Sequence, residues 1–403
     1  MAGLYRFFPD SVLAVHIFGI VTLIAVAFAS FFLSLKLFSN FSLAIYSAIL
    51  VALEWHILFF SLSGMETVLF SSLIIFTLLA LGDKPSKKVG ILCGLVTLTR
   101  PEGSILFLLI LANFIIKKAK SASFLSLLIP FIIVVAPVAI FNYTISGHIL
   151  PNTFYAKHSY YTKDFWKFIG EVFNYFTLSH FGLLMPFFIL SFWWQGKELL
   201  QKKIGRLSMI GLYFIGFIVA YGIFLPQLYT FGRYIVPLIP AFLILGLGVA
   251  WRVLKKWRVQ EVYILIVVAT FLYTAIKHSE TYAYCVENIT HLTVDIGKWL
   301  NENTEANAVI ATHDIGAIPY FSRRYVIDTL GLGTAETIQF LKDEDGLLLY
   351  LKKRKVDYIV GYPFVYPKIV ARPDVVPVFY KQLSGKIVAG CWHTMVVYKT
   401  LWH

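Results

Sequence analysis

Two arginines and two glutamates sit where charge is costly. Arg100 and Glu102 lie in Thr99-Arg100-Pro101-Glu102-Gly103, between the apolar runs Val89–Leu98 and Ser104–Ile116. Glu66 lies in Ser63-Gly64-Met65-Glu66-Thr67. Arg233 lies in Phe231-Gly232-Arg233-Tyr234, which enters an apolar run carrying Pro237 and Pro240. A fourth stretch, Leu150-Pro151-Asn152-Thr153-Phe154-Tyr155-Ala156-Lys157, falls in the long segment Thr144–His180. Ionisable side chains at membrane depth line a cavity, pair with each other, or serve a function. Broken backbone at that depth requires protein or water around it. Arg100, Lys157 and Arg233 suit a phosphate, because arginine offers a planar fork and lysine a point charge. Beside a membrane they could hold the phosphate of a lipid carrier and stabilise it as a leaving group. Asn152 and Tyr234 complete the candidate substrate-binding set. Glu66 and Glu102 are the candidate catalytic carboxylates: either could orient sugar hydroxyls, or act as a general base given a suitable pKa and reach.

Each stretch also has a purely structural explanation. Glu66 could cap the next helix, since an acidic group is favoured at a helix N-terminus. Arg100 and Glu102 could neutralise each other at a turn. Arg233 could snorkel to an interface. Lys163 and Lys167 read as a solvated face. Four such accidents on one side of a membrane are less expected than any one of them.

The rest of the chain says what must position these groups. It has 403 residues, 58% of them hydrophobic and 17% aromatic, with a mean hydropathy of +0.74. That composition belongs to a membrane protein rather than a soluble domain. The net charge of +13 resembles that of a nucleic-acid binder, but its distribution excludes that class. Residues 1–277 hold 22 Lys and Arg against 9 Asp and Glu, whereas 278–403 hold 13 of each. The excess lies in short clusters between apolar runs, which is topology signalling and not a phosphate-binding stripe. Three cysteines exclude a disulfide framework or a zinc ribbon. Cys93 packs in an apolar run, while Cys285 and Cys391 could pair in an oxidising compartment.

Ten apolar runs are candidate membrane segments: Ser11–Leu35, Phe41–Leu62, Val68–Leu81, Val89–Leu98, Ser104–Ile116, Phe124–Tyr143, Phe181–Trp194, Leu207–Leu225, Tyr234–Trp251 and Val262–Ile276. A full span needs about 20 residues, so the pair around Thr99–Gly103 reads as a short hairpin. Basic clusters at Lys84/Lys87/Lys88, Lys117/Lys118/Lys120, Lys197/Lys202/Lys203/Arg206 and Arg252/Lys255/Lys256/Arg258 can all be cytoplasmic only with that hairpin. The four polar stretches and the C-terminal domain then face outward, as does the N-terminus. An outward start without a signal peptide leads to the expectation of one further helix and outer loop upstream of residue 1. The expected architecture is an α-helical polytopic domain over 1–277 and a small extracytoplasmic α/β domain over 278–403.

In that second domain the strand candidates are Ala308–Thr312, Tyr325–Asp328, Val356–Gly361 and Thr394–Lys399. Helix candidates are Val294–Asn303, Thr334–Lys342 and Gly346–Arg354, and their alternation with strands indicates an α/β unit. His313-Asp314-Ile315-Gly316 follows the first strand, where ligands bind in α/β sheets, though it could equally be a hydrogen-bonded turn. No spacing indicates a metal site. Asn288-Ile289-Thr290 is an outward glycosylation sequon.

Taken together, Ser63–Thr67, Thr99–Gly103 and Pro151–Lys157 resemble, in that order, motifs of the GT-C superfamily of membrane glycosyltransferases. The likeness is to the branch with mycobacterial arabinofuranosyltransferases that use decaprenyl-phosphoryl arabinose. Phe231–Tyr234 with Pro237 and Pro240 resembles a segment common in that superfamily. The resemblance covers roughly residues 1–277, and the last domain, with Ala311–Ser322 and Tyr325–Gly331, resembles the extracytoplasmic tail of related bacterial and archaeal proteins. It implies an inverting transfer of one sugar, outside the cytoplasmic membrane, from a polyprenyl-phosphate carrier to a glycan, lipid or protein acceptor, with no metal or other cofactor assigned. The family's catalytic aspartate lies in the first outer loop. Asp10, in Phe8-Pro9-Asp10-Ser11, does not match that motif. Two other classes remain open at this level: a non-catalytic membrane component that binds lipid-linked glycan or a partner enzyme, and a transporter. Against the transporter, no internal repeat is visible and the charged motifs crowd one side.

Overall fold

The computed structural model describes residues 11–118, 121–160, 164–200, 204–388 and 392–402. Asp10, Lys120, Lys163, Lys202, Lys203 and Cys391 lie outside them, and so does the Cys285–Cys391 pairing. The first helices are α1 (Ser11–Phe38), α2 (Phe41–Leu53), α3 (Trp55–Leu62), α4 (Thr67–Ala80), α5 (Lys87–Thr99), α6 (Ser104–Ile116) and α7 (Ser121–Ser146). They continue as α8 (Asn152–Tyr160), α9 (Phe165–Thr177), α10 (Met185–Leu200), α11 (Arg206–Phe224), α12 (Ile239–Leu254), α13 (Gln260–Ile289) and α14 (Asp295–Asn303). Then come β1 (Val309–Thr312), α15 (Ala317–Ser322), β2 (Tyr325–Asp328), α16 (Glu344–Lys353), β3 (Tyr358–Gly361), α17 (Pro367–Val370), β4 (Val375–Gln382) and β5 (Thr394–Thr400). The chain divides into two compact units. One is Met1–Ile140 with Lys163–Ser279, and the other is Phe141–Thr162 with Glu280–His403.

Among the described residues of the whole chain, five helical stretches are long and apolar enough to cross a membrane. They are Val12–Phe38, Phe124–Ser146, Arg206–Phe224, Thr230–Trp257 and Gln260–Asn303. The pair α2 and α3 makes a sixth if counted as one span bent by 54°. The remaining apolar runs form shorter helices: α4 and α10 have 14 and 16 residues, and α5 and α6 have 13 each. A turn at Pro101–Gly103 joins α5 to α6 as a short hairpin.

In the first unit, α12 is the central element. It is apolar on every side, and every residue from Ile239 to Trp251 is buried, as such a helix requires. By contrast α1 exposes Ile17, Ile20, Val21, Ile24 and Phe28, an apolar face suited to lipid. The bend between α2 and α3 lies at Glu54, which is extended (φ −67°, ψ 118°) and accepts a hydrogen bond from Ile57 N at 2.9 Å, capping α3. Gly19 of α1 lets α3 come close: a Cβ there would lie 1.7 Å from the Ser61 carbonyl oxygen. Gly19→Val must push α1 off the α3 backbone, a cost of about 1–3 kcal/mol or more. The expected result is a clearly lower unfolding temperature by size-exclusion thermostability, whereas Ile24→Val, on the exposed face, leaves it unchanged.

The described residues between α7 and α10 are largely helical despite their polarity. They form α8, in the second unit, and α9, in the first. Asp164 caps α9 by accepting from Lys167 N at 2.9 Å.

The second unit is an α/β domain. Its five-stranded sheet has the order β2-β1-β3-β5-β4, with β2, β1 and β3 parallel and β5 and β4 antiparallel. Alternate side chains enter opposite cores. Ala311, Ile359 and Val396 pack with α16 and α17, while Ile310, Val360 and Val397 pack with α14 and α15. Both faces are therefore covered, which explains the near-continuous apolar strands. Strand β4 escapes the sequence reading because Pro377 breaks its pattern. It is an edge strand with a bulge between Pro377 and Phe379, where proline is tolerated. The expected helix Thr334–Lys342 is instead a 3-10 segment, Ala335–Phe340.

Candidate functional site

Five of the seven candidate residues converge in the first unit. Arg100, at the end of α5, is 6% exposed. Its Nη2 donates to the Tyr221 hydroxyl at 2.6 Å and to Glu102 Oε1 at 3.3 Å, and its Nε lies 4.0 Å from Glu66 Oε1. The guanidinium also lies over the Phe70 and Tyr234 rings, 5.5 and 5.4 Å from their centroids. Arg233 Nη2 donates to both oxygens of Glu66, at 3.1 and 3.2 Å. Glu66 makes no side-chain cap to α4, so ion pairing and not capping explains its position. Tyr234 is buried and stacks on Tyr221 at 5.4 Å.

The four charges balance, yet hydrogen-bonding capacity is left over. Arg100 Nη1, Arg233 Nε and Glu102 Oε2 are buried and have no hydrogen-bond partner among the described residues. Buried polar atoms are normally satisfied, so these three are donors and an acceptor that a bound group or water could use. Backbone strain points to the same place. Just before Arg233, Tyr229, Phe231 and Gly232 have φ of 50°, 55° and 73°. Two of them are non-glycine residues in the left-handed region, a conformation that persists where its surroundings enforce it and that gathers at functional sites. Here the enforcement is visible: Phe231 packs on Trp55 and Phe59, and Gly232 faces the Tyr175 ring too closely for a Cβ.

Tyr221 ties the site together and was not singled out in the sequence. Its hydroxyl accepts from Arg100 and donates to Glu102. Tyr221→Phe removes both bonds while keeping the ring stack. With hydrogen bonds to charged groups worth about 1.5–3 kcal/mol, activity that depends on this arrangement falls roughly tenfold or more. An unchanged kcat in the variant would show that the link is idle.

A second cluster lies at the bend between α2 and α3. Glu54, His56 and His180 bring a carboxylate oxygen and two imidazole nitrogens within 4.8 Å of one another. His56 Nδ1 is 2.6 Å and His180 Nε2 3.3 Å from Glu54 Oε1. Glu54 is fully buried and His56 nearly so. Two imidazoles and a carboxylate form a donor set suited to zinc. Because the same atoms also hydrogen-bond among themselves, the cluster is coherent without an ion. Only Glu54 and His56 are close in sequence, and His180 lies 126 positions away, so no motif spacing could expose the set. The remaining signal was Glu54 itself, an acid inside an apolar run.

Asn152 and Lys157 are carried by the second unit, on α8, which packs against the Ala335–Phe340 segment. Asn152 Oδ1 is buried without a partner among the described residues.

Comparison with known structures gives full-length likeness at low identity. ArnT from Cupriavidus metallidurans bound to undecaprenyl phosphate matches with a TM-score of 0.56 and 14% identity, over 98% of this chain and 85% of that one. The same protein in the apo state matches with a TM-score of 0.57 and 13% identity, over 98% and 86%. The archaeal oligosaccharyltransferase AglB from Archaeoglobus fulgidus, in complex with an inhibitory peptide and a dolichol-phosphate, matches with a TM-score of 0.55 and 12% identity, over 94% and 63%. The fold is GT-C. Residues 280–398 match the model of a domain of unknown function, DUF8728. A search of curated proteins finds no match.

Proposed function

We propose that this protein is a membrane glycosyltransferase that moves a sugar from a polyprenyl-phosphate carrier to an extracytoplasmic glycan, lipid or protein acceptor. The observation that carries the reading is the pair of arginines, Arg100 and Arg233, each with an unused guanidinium N–H inside a GT-C fold. ArnT and AglB, which share that fold, were solved with undecaprenyl phosphate and dolichol-phosphate. The finer likeness to arabinofuranosyltransferases rests on the motifs alone.

In the proposed reaction the bond between the sugar C1 and the carrier phosphate oxygen breaks, and the acceptor oxygen bonds to C1. Negative charge grows on the departing phosphate, where Arg100 Nη1 and Arg233 Nε supply donors that need not be recruited from elsewhere. Glu66 fixes the Arg233 fork, and Tyr221 with Glu102 fixes that of Arg100. Glu102 Oε2 is the carboxylate oxygen left to take the acceptor's proton, since Glu54 and Glu66 spend both of theirs on neighbours. Asn152 and Lys157 are further substrate contacts of the second unit, by motif resemblance. If an ion occupies Glu54, His56 and His180, it would supply positive charge and Lewis acidity there.

Native mass spectrometry in detergent tests the reading. Undecaprenyl phosphate should remain bound to the protein at concentrations where undecaprenol does not, and Arg233→Ala should weaken retention. Equal retention of phosphate and alcohol would remove the basis for a phosphate site.

A further inference from the structure

The first unit carries a cavity at the end of its helices away from the arginine site. Helix α5 has Arg100 at its C-cap and Lys88 in its first turn, about 18 Å apart along the axis. Helix α4 likewise starts beside Glu66 and finishes at Leu79 and Ala80. At that far end a cavity of about 390 Å³ is lined by Lys36 of α1, Phe76, Leu79 and Ala80 of α4, and Lys88 and Leu92 of α5. Helix α4 packs on both α1 and α5, so its last turns form the floor between them.

Positive charge gathers here without a counter-charge. Lys36 Nζ donates to the Leu79 carbonyl oxygen at 3.2 Å, which holds it at the cavity. Arg206, the first residue of α11, adds a third cation: the charges that bear on Lys36 are those of Arg206 and Lys88. Arg206 Nε is buried without a hydrogen-bond partner among the described residues. No ion pair among the described residues involves any of the three. Glu198, the acid nearest Arg206 in sequence, accepts from the Ser208 hydroxyl instead. Neither α5 nor α11 has an acid in its first turn. A helix N-terminus favours an anion, so cations in that place are unfavourable until an anion joins them.

Exposed apolar rows lead to the same spot. On α1, Val21, Ile24, Phe28 and Phe32 follow at helical spacing toward Lys36. On α5, Leu98, Leu95 and Ile91 do the same toward Lys88. Each lysine thus ends a lipid-facing row, as a headgroup ends an acyl chain.

We infer that this cavity binds the phosphate of an anionic phospholipid from the cytoplasmic leaflet, with its acyl chains along the exposed rows of α1 and α5. The basic residues Lys84, Lys87 and Lys88, in and after the α4–α5 connection, assign this end to the cytoplasm. Basic pockets between membrane helices on that side suit such headgroups. An ordinary cytoplasmic tether would need neither the cavity nor the apolar rows that run to it. The inference is independent of the transfer reading, because Lys36, Lys88 and Arg206 are not partners of Arg100 or Arg233.

Native mass spectrometry of the delipidated full chain tests it, with phosphatidylglycerol and phosphatidylcholine of the same acyl chains as probes. Phosphatidylglycerol should be retained at about tenfold lower concentration. Lys36→Gln/Lys88→Gln should abolish that preference. Lys84→Gln/Lys256→Gln, which removes two charges of the same membrane side outside the cavity, should keep it, and so should Arg233→Ala. Unfolding temperatures measured without added lipid check that the variants are intact. If the Lys36 substitution disturbs the end of α4, Lys88→Gln alone gives a smaller loss of the same kind. A preference that survives in Lys36→Gln/Lys88→Gln and in Lys88→Gln overturns the inference. An equal loss in Lys84→Gln/Lys256→Gln shows a diffuse basic surface and overturns it too, and a loss in Arg233→Ala moves the lipid to the arginine site. Glycerol 3-phosphate retained as tightly as phosphatidylglycerol would make this a site for a soluble anion and overturn the lipid.

Discussion

Arg100→Lys should fold, insert and lose sugar transfer by about a hundredfold to a thousandfold, the range found when one donor to a developing oxyanion is removed. Lysine keeps the charge that Glu66 and Glu102 need, so the pocket stays neutral. It loses the planar fork that lets Nη2 meet Tyr221 and Glu102 while Nε faces Glu66 and Nη1 stays free. Arg100→Ala is a poorer test, because two carboxylates would lose their cation and removal of one partner from a buried pair costs about 3–5 kcal/mol. Arg233→Ala should give a comparable loss of rate. Its partner Glu66 is only partly buried, with 38% of its side chain exposed, so less stability is at stake. The comparison to make is kcat against KM: a phosphate held more tightly as it leaves predicts a fall in kcat. Wild-type turnover in both Arg100→Lys and Arg233→Ala would remove these residues from the chemistry.

The second large effect is structural. Glu54→Ala should prevent accumulation of folded protein or lower its unfolding temperature sharply. The substitution strips the cap from Ile57 N and leaves His56 of α3, and His180 in the turn before α10, without their shared acceptor. Each buried group so orphaned costs about 1–3 kcal/mol. Glu54→Gln keeps an oxygen for the cap but not the charge, so it should fall between wild type and Glu54→Ala. A zinc ion, where bound, would add a further increment that a chelator removes and that His180→Ala abolishes. Size-exclusion thermostability with and without chelator measures both. Wild-type stability of Glu54→Ala would show that the bend is held by apolar packing alone.

Much of this site was legible from residue type and position. Arginine and glutamate inside apolar sequence have few roles, and the structure pairs Arg100 with Glu102 and Arg233 with Glu66. The α/β character of the last unit was equally readable, since alternating apolar strands and helices leave few alternatives. What stayed hidden depends on contacts between distant positions. Tyr221 looks like any aromatic in an apolar helix until Arg100, 121 residues away, meets its hydroxyl. His180 looks like a loop histidine until it reaches Glu54. Strand β4 was masked by Pro377, because sequence alone does not tell an edge strand from a central one. The short hairpin was readable too: Ser104–Ile116 has in the sequence the same bounds as α6, and the turn at Pro101–Gly103 joins it to α5.

The most direct measurement is transfer itself. The protein in proteoliposomes would be given polyprenyl-phosphate carriers of labelled arabinofuranose, mannose and glucose, with a membrane glycan extract as acceptor. The account predicts that one labelled sugar moves to the extract, that polyprenyl phosphate is released in equal amount, and that both products vanish together in Arg100→Lys. If no donor is consumed, or consumption persists unchanged in that variant, the two arginines do not form the phosphate site of a glycosyltransferase.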